Sequence, residues 1–220
     1  MSSIFVIMGA PGTGKRIQGG MLAEASGCPQ ISINELLWET ARTATPLGRE
    51  LRLVQAAGRP ITDDLVAAAI RQRTTQPDCA DGYVLNGYPR TLDQARRLDA
   101  LALSQDKEVR VFELTVPRTS LLKRLSARHI CTKCRELYDL WFNPPKHAGI
   151  CDRDGAPLTP RPGAQEASMI TEVTQYEQAV RPLVSYYFDS GRLLMVNAAR
   201  AMEDVFFDLC LSATGRTSGA

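Results

Sequence analysis

The chain has no apolar run of membrane-spanning length, no run of basic residues, no internal repeat and no basic, signal-like segment at its start. Each absence narrows the reading. A bilayer-crossing helix needs about 20 consecutive apolar residues, so no membrane partner is expected. Lysine and arginine number 26 against 24 acidic residues, a formal net charge of +2, which gives nucleic acid no electrostatic footing. The apolar stretch near the N-terminus lacks the flanks of an export signal, so a soluble, cytoplasmic protein is expected, with thiols rather than a disulfide framework. Histidine is scarce, with only His129 and His147. Apolar residues make up 44% of the 220 positions, enough for a substantial core in one domain with insertions or in two small ones.

The most informative stretch runs from Ile4 to Lys15. Ile4, Phe5, Val6, Ile7 and Met8 read as a buried strand that passes into Gly9-Ala10-Pro11-Gly12-Thr13-Gly14-Lys15, with a helix predicted over 17–25. Glycines in such a loop let backbone N–H groups converge on an anion, the helix N-terminus adds partial positive charge, and Lys15 adds a full one. This is a nucleotide-phosphate site. The position after the lysine, where such loops offer a hydroxyl, holds Arg16 and then Ile17.

Further along, Gln30-Ile31-Ser32 reads as a short strand, and 33–61 as a helical insertion with helices over 33–43 and 47–57. Thr62 is a natural N-cap, with Asp63 and Asp64 in the first helical turn. Gly82 to Asn86 reads as the next buried strand, delivering Gly87, Tyr88, Pro89 and Arg90 at its carboxyl end, where open α/β sheets place ligands. Helix is predicted over 91–103 and strand over 109–116, with Pro117 opening a helix that turns Leu121, Leu122 and Leu125 inward and Lys123, Arg124 and Arg128 elsewhere. Residues 130–162 break the rhythm, a long helix covers 165–190, and a strand over 193–196 and a helix over 202–211 precede a polar tail. Alternating strands and helices imply an α/β fold with a parallel sheet covered on both faces.

The cysteines divide into two groups. Cys28, Cys79 and Cys210 lie apart and read as structural thiols. The others form Cys131-x2-Cys134-x16-Cys151-x2-Asp154, two short-spaced pairs joined by a longer loop, as in a closed, structural, tetrahedral zinc site. His129 and His147 are available as ligands, and the simpler reading leaves them out.

With GAPGTGK, PQIS, GRPITDDLV, GYVLNGYPRTLDQA, FNPPK and the cysteine cluster in this order, the chain resembles the adenylate kinases of the zinc-lid type over nearly all its length. The resemblance implies a P-loop NTPase-like core over 1–32, 62–127 and 163–211, an insertion at 33–61 for the nucleoside monophosphate, a lid at 128–162 and a disordered tail at 212–220. It implies reversible phosphoryl transfer from MgATP to AMP, giving two ADP, by a monomer carrying Mg²⁺ with the nucleotide and structural Zn²⁺ in the lid. Gly12, Thr13, Gly14 and Lys15 would hold the donor phosphates, with Leu137 and Tyr138 near the donor base. Arg90 would grip the acceptor phosphate, beside Gly87, Tyr88 and Pro89. Gln94 would read the adenine edge, and Arg59, Pro60 and Ile61 would line the acceptor pocket. Arg128 and Arg161 would close onto phosphates from the lid, which makes Lys15, Arg90, Arg128 and Arg161 the catalytic set.

The chain departs from that pattern at several positions. Arg16 and Ile17 stand for Gly-Thr, Ile33 and Asn34 for Thr-Gly, Trp38 for an arginine, and Asn86 for an aspartate that orders Mg²⁺ and its waters. His129 and Glu172 replace arginines, and Gly163 and Ala164 replace two acidic residues. The losses imply turnover below that of a typical member. They leave open a nucleotide- and zinc-binding module with little catalysis, or a kinase for another monophosphate. Arg16 is available as a compensating cation beside the phosphates.

Overall fold

A computed structural model describes residues 2–162 and 165–213. Its larger sheet is wholly parallel in the order β2 (Gln30–Ser32), β3 (Gly82–Asn86), β1 (Ser3–Gly9), β4 (Glu108–Thr115), β8 (Leu193–Asn197). The central strand β1 alternates its apolar side chains between two cores, which is why it reads as an unbroken hydrophobic run. Ile4, Val6 and Met8 face the larger core with Leu51, Ile70, Leu98 and Leu183. Phe5 and Ile7 face the other, with Leu22, Phe112, Val205 and Leu209, and the rings of Phe5 and Phe112 stack at 6.1 Å.

Helices α1 (Lys15–Ala25) and α8 (Met202–Ala213) cover one face; α4 (Asp63–Thr74), α5 (Leu92–Ser104) and α7 (Glu166–Asp189) contribute to the other core. Local chemistry sets several starts. Thr62 accepts from the Leu65 N–H, and Thr91 accepts from the Gln94 N–H at 3.2 Å, each satisfying an orphan donor of its helix. Between β2 and α4 lie α2 (Ile33–Arg42) and α3 (Pro46–Ala56), which cross so closely that a Cβ at Gly48 would stand 2.4 Å from the Thr40 carbonyl oxygen.

After α6 (Arg118–Ser126) the chain enters a separate antiparallel sheet, β6 (Leu137–Asp139), β5 (Arg128–Cys131), β7 (Leu158–Pro160). Its entry and exit are clasped by the Arg161 N–H donating to the Arg128 carbonyl at 3.0 Å. Three local expectations are corrected here. Arg128 opens β5 instead of extending the preceding helix, because Ala127 caps α6 and Arg128 pairs with Asp139. Pro117 is the N-cap of α6 rather than its first residue. Ser212 belongs to α8, which continues to Ala213; the rest of the expected tail, 214–220, and the departures Gly163 and Ala164 lie outside the described residues.

Candidate active site

Strand β1 ends at Gly9, and the loop from Ala10 to Gly14 leads into α1 at Lys15. Gly9, Gly12 and Gly14 hold φ of 149°, 93° and 87°. A Cβ at Gly9 would lie 2.6 Å from Thr13 Oγ1 and 2.9 Å from the Leu114 carbonyl, so only glycine fits the turn. Thr13 is buried and donates to the Ala10 carbonyl at 2.9 Å, and Lys15 Nζ donates to the same oxygen at 3.0 Å. Gly14 is the N-cap of α1 and offers no side-chain cap, which leaves first-turn N–H groups for an anion. Burial and the Arg128 guanidinium bring the Lys15 ammonium down to about 8. Behind the loop, Glu113 on β4 is buried and accepts from the Tyr176 hydroxyl; burial pushes its carboxyl up to about 7.

At the end of β3, Arg90 is fixed from several sides. Its Nε donates to the Gly87 carbonyl at 2.8 Å and Nη2 donates to Asn34 Oδ1 at 3.2 Å, while its backbone N–H donates to Gln94 Oε1 at 2.7 Å. The other end of the Gln94 amide donates to Asp63 Oδ1 at 2.7 Å, so both ends of that side chain are engaged within the protein. A guanidinium held through Nε and one Nη2 proton keeps its remaining donors for an oxyanion.

The second sheet brings further cations. Arg128 lies 3.7 Å from Asp139, and Arg161 follows β7. Phe142, between β6 and β7, reaches back to the phosphate loop, its ring 3.3 Å from the Cβ position of Gly14. Arg124 donates to the Gly12 carbonyl at 3.3 Å and to Ala198 O at 3.2 Å, and its guanidinium lies 5.0 Å from the Phe142 ring centre.

These segments enclose a cleft of about 1160 Å³. Gly12, Gly14 and Lys15 of the loop line it, as do Gly87, Tyr88, Pro89 and Arg90 from the strand end and Arg128, Leu137, Tyr138 and Arg161 from the lid. Thr13 sits beneath the loop. Gln94, Arg59, Pro60 and Ile61 stand outside this lining; Ile61 packs on the larger core and Arg59 and Pro60 are exposed. Sequence reasoning missed Arg124, Phe142, Asn34 and the Glu113–Tyr176 pair. The only signal for Glu113 was an acidic residue inside a buried strand pattern.

The departures have definite surroundings. Arg16 pairs with Glu35 at 3.0 Å. Trp38 is exposed and carries the Arg42 guanidinium 4.4 Å from its ring centre. Asn86 and Glu172 line the cleft.

In the lid, Cys131, Cys134, Cys151 and Asp154 bring their ligand atoms within 4.8 Å of one another. The Cys134 and Cys151 sulfurs are 3.6 Å apart, and Cys131 Sγ lies 3.4 Å from Asp154 Oδ1. The Lys133 and Cys134 N–H groups both point at Cys131 Sγ at 3.4 Å, and the Tyr138 hydroxyl donates to Cys151 Sγ at 3.4 Å. A hydrogen bond from the Ala156 N–H brings the Asp154 carboxyl down to about 2. The four side chains can hold a metal ion, and Tyr138 is tied to that cluster as well as to the cleft.

The family model described as adenylate kinase matches residues 7–192. An adenylate kinase of Methanothrix thermoacetophila is 37% identical over 206 residues, covering 93% of this chain and 95% of the relative. One from Moorella thermoacetica is 34% identical over 215 residues, 97% of each chain, and one from Syntrophomonas wolfei is 34% identical over 205 residues, 93% and 95%. The matched span takes in the phosphate loop, the β3 strand end and the lid cysteines, and on that extent of agreement the chain belongs to the adenylate kinase family.

Proposed function

We propose that this chain performs the family's phosphoryl transfer between ATP and AMP with Lys15, Arg90, Arg128 and Arg161 as the working cations. The observation that supports this most directly is that these four, from four separate segments, line one cleft. Phosphoryl transfer asks mainly for positioning and for charge neutralisation around the transferred group. The loop N–H groups and Lys15 seat the donor phosphates. Arg90, braced by Gly87 and Asn34, faces the acceptor phosphate. Arg128 and Arg161 approach from the lid and screen charge on the group in flight. Arg124, its guanidinium 5.0 Å from the Phe142 ring centre beside Gly12 and Gly14, offers the donor nucleotide a cation at the loop, with Leu137 and Tyr138 of the cleft lining left for its base. Residues 59–61 and Gln94 meet the acceptor when the 33–61 segment closes.

Zinc suits the lid cluster. Tetrahedral bonds of about 2.3 Å to sulfur and about 2.0–2.2 Å to oxygen give ligand-to-ligand edges of roughly 3.5–3.8 Å. The 3.6 Å between the Cys134 and Cys151 sulfurs falls in that range, and the 3.4 Å from Cys131 Sγ to Asp154 Oδ1 lies just short of it. Bound there, Zn²⁺ cross-links a segment with little apolar core of its own. One copy supplies all four cations, so the cleft needs no second subunit, which supports action as a monomer; the cytoplasmic placement rests on the likeness to the family. Its turnover is lower than the family norm, because Trp38 and Glu172 stand where cations would serve.

The test is ADP formation by zinc-replete protein with MgATP and AMP, with GMP, CMP and UMP in parallel. Turnover with AMP that disappears in Lys15→Ala is the expected result. Absence of turnover with every acceptor, in protein that binds ATP, would overturn the assignment of catalysis.

A further inference from the structure

Gln94 is buried, and its side-chain amide is tied at both ends. It stands at the third position of α5, where Thr91 caps the helix and accepts from the Gln94 N–H at 3.2 Å. A glutamine at that position can close a capping box by taking the N–H of the capping residue. Here Oε1 takes the N–H of Arg90 instead, one residue earlier, at 2.7 Å. Capping asks nothing of the other end of the amide. Yet Nε2 donates to Asp63 Oδ1, also at 2.7 Å, 31 residues back at the start of α4.

The two partners are of opposite kind. A backbone N–H can only donate and a carboxylate can only accept, so inverting the amide would set donor against donor and acceptor against acceptor. Each end keeps one further capacity, a second lone pair on Oε1 and a second N–H on Nε2. What remains is one acceptor beside one donor, in a fixed order. Purines differ in that same order. Adenine offers N6–H and a lone pair on N1, whereas guanine and hypoxanthine offer O6 and N1–H. An amide free to turn over would serve both kinds of edge, and a locked one serves a single kind. A near-isostere that leaves buried polar groups unpaired is rejected strongly.

We propose that Asp63 is a specificity-determining residue for the acceptor: by locking the Gln94 amide in one sense, it selects 6-amino over 6-oxo purine monophosphates. Asp63 acts through Gln94, as a positioning residue. It follows directly on the 59–61 segment, and the second lock comes from Arg90, whose guanidinium faces the acceptor phosphate in the reading above. The inference deepens that reading of AMP as the acceptor and rests on it.

The experiment compares AMP with IMP, which carries the order of groups found in guanine without its 2-amino group, so bulk does not enter. Calorimetric titration of zinc-replete protein with each monophosphate is run beside kcat/KM with MgATP, with thermal melts to establish folding. The wild type is expected to prefer AMP by about a hundredfold or more. The amide in Asp63→Asn can donate as well as accept, and so tolerates an inverted Gln94. This variant is expected to narrow the ratio by about tenfold or more, the scale of one charge-assisted hydrogen bond, with a gain in IMP binding. Asp64→Asn removes the same charge from the same helical turn, where Asp64 pairs with Arg97, and is expected to keep the wild-type ratio. A wild type indifferent to the two ligands, an unchanged ratio in Asp63→Asn, or equal losses for both ligands there would each overturn the inference. So would an AMP preference that survives in Gln94→Ala. Selective AMP binding that collapses in Asp63→Asn, in a protein with no turnover, would support it while striking the reading of catalysis.

Discussion

The Tyr176 hydroxyl donates to both carboxylate oxygens of Glu113, at 3.0 and 3.1 Å, on a strand that runs beside the one leading into the phosphate loop. Burial raises Glu113 from an ordinary 4.5 to about 7, against the opposing pull of Tyr176 and Lys15. Between those values the folded chain keeps a proton that the unfolded chain has released. Stability should therefore fall as pH rises through this window. Urea midpoints measured from pH 4.5 to 7.5 should decline in the wild type, and Glu113→Gln should flatten the slope. An equal slope in both proteins would assign the effect elsewhere.

Removing zinc from the proposed lid site should act locally. Cys151→Ser, or treatment with a chelator, should abolish a stoichiometric zinc signal in elemental analysis. Hydrogen exchange should then quicken in β5, β6 and β7 while β1, β3 and β4 keep their protection. Tyr138→Phe should weaken zinc binding by about tenfold or more, because its hydroxyl supports the Cys151 sulfur from outside the ligand set. Unchanged affinity in that variant would show the hydroxyl to be idle.

Gly14→Ala tests the loop against the lid at one atom. At φ of 87° an alanine is strained, and its Cβ would press on the Phe142 ring at 3.3 Å. The expected cost is about 1–3 kcal/mol of stability, with a clear loss of ATP affinity. Calorimetry of folding and of ATP binding reads both; a variant matching the wild type in each would refute this account.

Arg124→Ala separates donor from acceptor. Its guanidinium touches the loop carbonyl and stacks on Phe142, and it has no contact with Arg90 or Asn34 among the bonds of that corner. KM for ATP should rise by about tenfold, on the scale of a stacked cation and one charged hydrogen bond, with KM for AMP nearly unchanged. A rise confined to AMP would reverse the placement.

The parts that could be read from sequence are those whose physics is local. The strand from Ile4 to Met8 announced itself as an apolar run, the loop glycines by their spacing, and Thr62 by the acids that follow it. The cysteine pairs carried their chemistry in their own spacing. What escaped depends on partners far along the chain. Arg128 continues a helical pattern, and only its pairing with Asp139 makes it a strand residue. Gln94 engages Asp63, and Arg124 finds the Gly12 carbonyl, through contacts that no periodicity encodes. Asn34 looked like the loss of a glycine, whereas in the fold it braces Arg90.

The clasp between Arg161 and Arg128 brings the two ends of the lid out of the core side by side. Ends that already meet can be bridged by connections of very different length, since closure entropy grows only slowly with the number of residues spanned. The lid is in that sense a removable cassette. A longer cap, or a shorter one with no metal, could be spliced between these two arginines without shifting the register of any strand in the large sheet.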